Sequence, residues 1–173
     1  MSTDVYKELK SLIGRLQSEI VGPDEVCRQM IKHFCEAVED TNPLYTDEGY
    51  ARNSKYGSII APPQMIWTWV MQPLWPPTEQ PEIWKQILEV CAKGGFDQII
   101  DPDVEMEFYG PLFPGDRVTS VTELCDVDEE KETNLGRGHF ITTEATYKNQ
   151  KEELICIQRV RFFIYKARGS NNV

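Results

Sequence analysis

The residues in this chain whose types and spacing together suggest chemistry fall between Glu36 and Pro63, in EAVEDTNPLYTDEGYARNSKYGSIIAPP. Asp40 offers a carboxylate at the end of a predicted helix, Asn42 and Pro43 follow it, and Tyr45 stands five residues beyond it. A phenol, with an ordinary pKa of about 10, is a poor general base at neutral pH. The chain has only two histidines, His33 and His139, too few to build a metal site easily. His33 lies seven residues before Asp40 in a helical stripe with Val26, Met30 and Ala37, where it reads as core-edge packing, and His139 belongs to a strand. By residue type alone, Asp40 reads as a solvated helix end, Asn42–Pro43 as a turn and Tyr45 as a packing residue.

The elements that must position these groups follow from periodicity. Residues 24 to 39 read as a helix, with Asp24 as N-cap and Val26, Met30, Phe34 and Val38 recurring every four residues beside Ile31 and Cys35, ending near Asp40. A polar stretch punctuated by Pro43, Gly49 and Gly57 holds one short helix over 47–54. At Pro62–Pro63, where the fixed φ of proline suits a first turn, QMIWTWVMQPLW begins a long central helix, apolar on every side and therefore buried. Trp67, Trp69 and Trp75 read as core, with Trp67 and Trp69 as candidates to line a binding pocket. Prolines between 76 and 81 break the chain, and Ile83, Trp84, Ile87, Leu88 and Cys91 form an amphipathic helix closed by Gly94–Gly95.

From about residue 103 the pattern turns to strands, with turn signals at Pro114–Asp116, Gly136–Gly138 and Asn149–Gln150. In the last strand Leu154, Cys156, Val160, Phe162 and Ile164 share one face, and only the tail after Tyr165 reads as loose. Helices followed by long antiparallel strands predict a single α+β domain over 1–173, in which a buried helix is wrapped by one curved sheet.

A length of 173 residues suits one domain, and 18 basic against 28 acidic residues give a net charge of −10. That charge opposes nucleic acid and anionic membranes as partners. The start, MSTDVYKELK, lacks an apolar core of signal-peptide length, and no run approaches a membrane span, so the reading is cytoplasmic. Cys27, Cys35, Cys91, Cys125 and Cys156 include no C-x-x-C pair and read as buried, reduced thiols.

The stretch from Glu36 to Pro63 resembles the hydratase signature of MaoC-like proteins, and more narrowly of the FAS1-like dehydratase N-terminal type. There a helix ends in an aspartate, followed by x-N-P-[LIV]-H, an alanine and a hydrophobic step into the central helix. Asp40, Asn42, Pro43, Leu44 and Ala51 stand at matching places, with Gly57 as a further structural position, and FYGPLFPGDRV and GRGHFITTEATYKNQ extend the likeness over most of the chain. The resemblance implies a hot-dog fold and reversible addition of water across the double bond of an enoyl thioester, usually giving the (R)-3-hydroxyacyl product. It also implies a coenzyme A thioester as substrate and no cofactor or metal. In the family an aspartate and a histidine five residues later move protons, and the backbone N–H of a glycine at the start of the central helix donates to the thioester oxygen. Here Asp40 is retained, Tyr45 takes the histidine position, and Pro63, which has no N–H, takes the glycine position.

Hot-dog domains pair, so a half lacking these groups is useful beside an intact one. The likeness is greatest to the MaoC-like N-terminal module in the large subunit of steroid side-chain acyl-CoA hydratases, and this implies a small MaoC-like subunit with D-x-N-P-x-H as partner. In that subfamily a DUF35-type zinc-ribbon region often follows; here it is expected as a separate protein or not at all. An accessory subunit of a heteromeric hydroxyacyl-ACP dehydratase is a related reading. For the coenzyme A phosphates, Arg159, Arg161, Lys166 and Arg168 are the candidates, each with a solvated strand face as its plain alternative. Three readings stand: a non-catalytic hydratase subunit in at least a dimer; a self-sufficient homo-oligomeric hydratase or thioesterase using Asp40; and a non-enzymatic acyl-CoA-binding or scaffolding module.

Overall fold

Two long strands organise the chain in a computed structural model that describes residues 4–168. β5 (Gly136–Lys148) and β6 (Leu154–Ala167) pair antiparallel from Gly136↔Ala167 to Lys148↔Leu154. They are joined by a turn in which Asn149 Oδ1 accepts from the backbone of Lys151 at 3.0 Å and of Glu153 at 3.1 Å. Burial alternates along most of β5, as a sheet with one covered face requires, whereas β6 also buries consecutive residues, Phe162 to Ile164 among them. β3 (Thr119–Val127) flanks β5, β1 (Gln17–Val21) flanks β3, and β2 (Gln98–Phe108) flanks β6, all antiparallel, giving the order β1-β3-β5-β6-β2, while the short β4 (Lys131–Glu132) pairs with β5.

Gly136 and Gly138, read from sequence as a turn, lie inside β5. A Cβ on Gly138 would stand 2.2 Å from the Ile164 carbonyl oxygen, so the residue permits a close strand approach. The chain reverses just before, where Thr133 N donates to Gly136 O at 2.8 Å. β2 begins at Gln98, five residues before the expected strand, and absorbs Pro102 at a register shift between Ile100 and Asp103. β6 continues two residues past Tyr165; the rest of the expected tail, 169–173, lies outside the described residues.

One face of the sheet is covered by two separate packing units. α1 (Val5–Leu12) and α5 (Glu82–Lys93) place Leu9, Ile83, Ile87 and Cys91 against Leu124, Ile141, Phe162 and Ile164. α2 (Arg28–Val38) and the segment Ile59–Val70 pack Ile31, Cys35, Met65, Ile66 and Trp69 with Val118, Tyr147 and Cys156. α1 and β1 were unassigned from sequence; Asp4 caps α1 by accepting from Lys7 N at 3.2 Å.

Three sequence expectations are corrected here. α2 starts at Arg28 rather than residue 24, capped by Cys27 without a side-chain bond, and it buries Ile31 and Cys35 while Met30 and Val38 face solvent. The polar stretch holds two short helices rather than one: the expected one over 47–54 is α4 (Glu48–Arg52), and α3 (Pro43–Thr46) precedes it. The central element is neither long nor buried all round: it is a 3-10 helix over Pro63–Val70, with Met65, Ile66, Trp69 and Val70 buried but Trp67 58% exposed. Pro73, Pro76 and Pro77 follow and lack the N–H groups a continuing helix needs.

Because Ile87 is fully buried between α5 and the sheet, Ile87→Ala is expected to cost about 2–4 kcal/mol, read as a lower urea midpoint at unchanged slope.

Candidate functional site

The segment after α2 folds by a chain of local hydrogen bonds. Glu39 adopts a left-handed φ of 56° and Asp40 N donates to Cys35 O at 2.9 Å, which ends the helix and turns Asp40 aside. Asp40 Oδ1 accepts from Asn42 N at 2.9 Å, and Asn42 Oδ1 in turn accepts from Leu44 N at 3.1 Å, capping α3 with Pro43 in its first turn. Asp47 accepts from Tyr50 N at 2.9 Å to cap α4, which sets Ala51 fully inside the core. Ile60 N donates to Leu44 O at 3.2 Å and ties the unit to the strand-like run before Pro62. Gly57 has a φ of 71°, which favours glycine at that turn.

Asp40 and Tyr45 are brought together: both are half-buried and line one cavity of about 700 Å³ with Arg28, Lys32, Cys35 and Ile59. Burial, and after it the charge of Asp40, pushes the Tyr45 phenol above its ordinary range. It stays protonated at neutral pH, the form that can donate a hydrogen bond but cannot take up a proton as a base would.

Pro63 is elsewhere. With Pro62, Tyr56, Phe108 and Tyr109 it lines a second cavity of about 280 Å³, and the buried residues Ile59–Ala61 lie between the two. Pro62 caps the 3-10 helix and its carbonyl accepts from Met65 N at 3.0 Å; neither proline has an N–H to offer. The wall on the far side is the end of β2, a strand exposed along all its eleven residues, with Ile99, Ile100, Val104, Met106 and Phe108 presented to solvent and no strand on its outer edge among the described residues.

A third cavity, about 240 Å³, opens between the 3-10 helix and α5, over the middle of the sheet. Trp67, Val70, Met71 and Trp84 form its sides, and Ser120, Thr122, Thr143, Tyr147 and Gln158 supply a polar floor. Trp67 Nε1 donates to Gln158 Oε1 at 3.0 Å and Tyr147 Oη donates to the same oxygen at 2.6 Å. Burial pushes the Tyr147 phenol far up. The two tryptophans expected to line a binding pocket are thus separated: Trp67 borders this cavity, whereas Trp69 is in the core with its Nε1 enclosed and unpartnered. Sequence reasoning missed Gln158. Its signal was available, since it interrupts the apolar face of β6 between Cys156 and Val160.

The basic candidates lie on other surfaces. Arg159 Nε donates to Glu144 at 2.7 Å, Arg161 donates to Asp128 at 2.6 Å and lies over the Phe140 ring, and Arg168 pairs with Glu132 at 3.0 Å. Arg159 and Arg161 are on the sheet face opposite Gln158. His33 is corrected from core-edge to exposed, beside Glu36, while His139 is buried with Nδ1 3.0 Å from Asp128 O. Cys35, Cys91 and Cys156 are buried as expected, and burial pushes the Cys91 thiol up to about 12; Cys27 is exposed and Cys125 half-exposed, against expectation.

A curved antiparallel sheet with helices on one face and a hydratase-like turn before the central element defines a hot-dog domain. Residues 11–158 match the family described as FAS1-like, dehydratase domain region, and the chain belongs to that family. It is 35% identical over 170 residues to a probable enoyl-CoA hydratase alpha subunit of Thermomonospora curvata, covering 95% of this chain and 53% of that protein. It is 31% identical over 147 residues to the 3-oxo-4,17-pregnadiene-20-carboxyl-CoA hydratase alpha subunit of Mycobacterium tuberculosis, covering 85% and 47%. The chain thus spans about half the length of these curated relatives. Its fold matches a chain of the ChsH1–ChsH2 complex from Mycobacterium tuberculosis with a TM-score of 0.87 and 28% identity, over 97% of this chain and 94% of that one. Among the described residues no helix is long and apolar enough to cross a membrane.

The Lys131 and Arg161 bonds hold the Asp128 carboxyl below its ordinary range against the opposing effect of burial. A depressed carboxyl stabilises the fold above its unfolded pKa, and that contribution is lost as pH falls through the folded value. Asp128→Asn is therefore expected to lower stability at pH 7, with the gap to wild type closing as urea titrations are taken below about pH 4.

Proposed function

We propose that this chain is the non-catalytic, pocket-forming half of an (R)-specific enoyl-thioester hydratase, paired with a second hot-dog subunit that carries the aspartate and histidine. Hydration puts a hydroxyl on C3 and a proton on C2 of the enoyl thioester, and needs a base for water, a proton source and a donor to the thioester oxygen. The observation that carries the proposal is a hydratase turn that keeps its hydrogen bonds while its chemistry is missing. Tyr45 is a phenol held in its protonated form, Pro63 has no N–H, and the two face different cavities. Asp40, with one oxygen bound to Asn42 N, serves to hold the turn.

The names of the relatives agree with this reading: two are alpha subunits of CoA-thioester hydratases, and the solved structure is a complex of two different chains. The cleft beside the shortened 3-10 helix is where the acyl group would extend, and β2 offers a long unpaired edge for the partner. Trp67 lines the acyl route. Arg159, Arg161 and Arg168 are already paired with carboxylates, so coenzyme A phosphates would be met by Lys166 or by the partner.

The test follows loss of enoyl-thioester absorbance with a medium-chain and a polycyclic enoyl-CoA, using this chain alone and co-expressed with a short hot-dog subunit bearing D-x-N-P-x-H. Turnover in the mixture only is expected; enzyme-like turnover by the chain alone, abolished by Asp40→Asn, would instead establish the self-sufficient reading. In the isolated chain, Tyr45→His and Pro63→Gly are each expected to stay inactive. Together they are also expected to stay inactive, because the two positions face different cavities and a base at one cannot share a transition state with a donor at the other.

A further inference from the structure

We infer that the cleft between the 3-10 helix and α5 recognises a neutral acceptor oxygen on an otherwise apolar acyl group, through the side-chain N–H groups of Gln158. This deepens the hydratase-subunit reading and rests on it. Gln158 is only 4% exposed, at the centre of the polar floor, and its carbonyl oxygen is fully committed to Trp67 Nε1 at 3.0 Å and Tyr147 Oη at 2.6 Å. The indole nitrogen can only donate, so the amide cannot flip without setting N–H against N–H. Its orientation is therefore fixed and Nε2 is turned away from both partners.

Nε2 has no acceptor among the described residues and is not sealed off, because the one enclosed side-chain N or O atom without a partner is Trp69 Nε1. The hydroxyls of Ser120 and Thr143, each 3% exposed, line the same cleft with no side-chain or backbone partner among the described residues. Fixed donors left unspent in a nearly buried place favour a ligand atom that accepts, since an apolar ligand would leave them unpaired. No charged residue lines the cleft, so a carboxylate or phosphate would lose its water without gaining a counter-charge. What fits is a ketone, hydroxyl or ether oxygen on a bulky hydrocarbon body held by Trp67, Met71, Trp84 and Phe162.

The probes are trans-1-decalone and decalin, which differ by one carbonyl oxygen, titrated into the full ¹⁵N-labelled chain by NMR. The decalone is expected to bind about tenfold more tightly and to move the Gln158 side-chain amide signals. Gln158→Glu keeps an oxygen for Trp67 and Tyr147 but removes the N–H groups, and should cut the preference to within about threefold. If the variant fails to fold, the amide shift in the wild-type chain decides. Equal binding of the two probes, or a decalone preference that survives in the variant, overturns the inference and leaves the hydratase-subunit reading standing. Binding of neither probe removes the acyl role of the cleft together with the inference.

Discussion

The concave face of the sheet has to be covered, and the segment beginning at Pro62–Pro63 is too short to cover it. Eight residues of 3-10 helix at about 2 Å per residue span roughly 16 Å, and the prolines after Val70 prevent an extension. The far half of the face is therefore packed by α5, assisted by α1 from the chain start, and two packing units exist where one continuous helix would have made a single core. The cleft is what remains between them. Its floor is polar for the same reason, because sheet positions under a gap are not required to be apolar.

The turn from Asp40 to Ala51 shows how a catalytic-looking motif can persist for its geometry. Removing the Asp40 carboxylate would free Asn42 N, and through Asn42 the start of α3; Ala51 leaves no space for a larger side chain in the core. None of these bonds involves the side chain of Tyr45 or requires an N–H at Pro63. The turn therefore stands without a base at position 45 or an N–H at position 63.

Much of this was legible in the chain itself. Period-two burial along most of β5 and part of β6, the proline start of the central segment and the amphipathic α5 follow from simple patterns, and the nested turn follows from Asp, Asn and Pro at their usual stations. What was not legible depended on tertiary choice. Val26, Met30, Phe34 and Val38 have helical spacing, yet the partner surface selects Ile31 and Cys35, a rotation that periodicity cannot determine when both stripes are apolar. Gly136 and Gly138 signal a turn locally, but the neighbouring carbonyls of β6 are what demand them. Gln158 visibly interrupts the apolar face of β6, but what lies over that position, a gap between two packing units, is decided only in three dimensions.

The edge of the sheet bears on how the proposed pairing would be made. β2 carries apolar side chains on both of its faces and a free edge, an arrangement that natural sheets usually blunt with charge or a covering element. Its acidic residues, Asp101, Asp103, Glu105 and Glu107, put charge along the strand without filling the edge. The cavity at Pro63 is walled by the end of this strand, so a subunit adding its own strand to β2 would also complete that cavity. A partner's donors and base would then meet the one place where this chain offers none, while the acyl end of a substrate ran on toward Trp67. Division of labour in such a pair needs no active-site residue from this half, only that its central segment stop short.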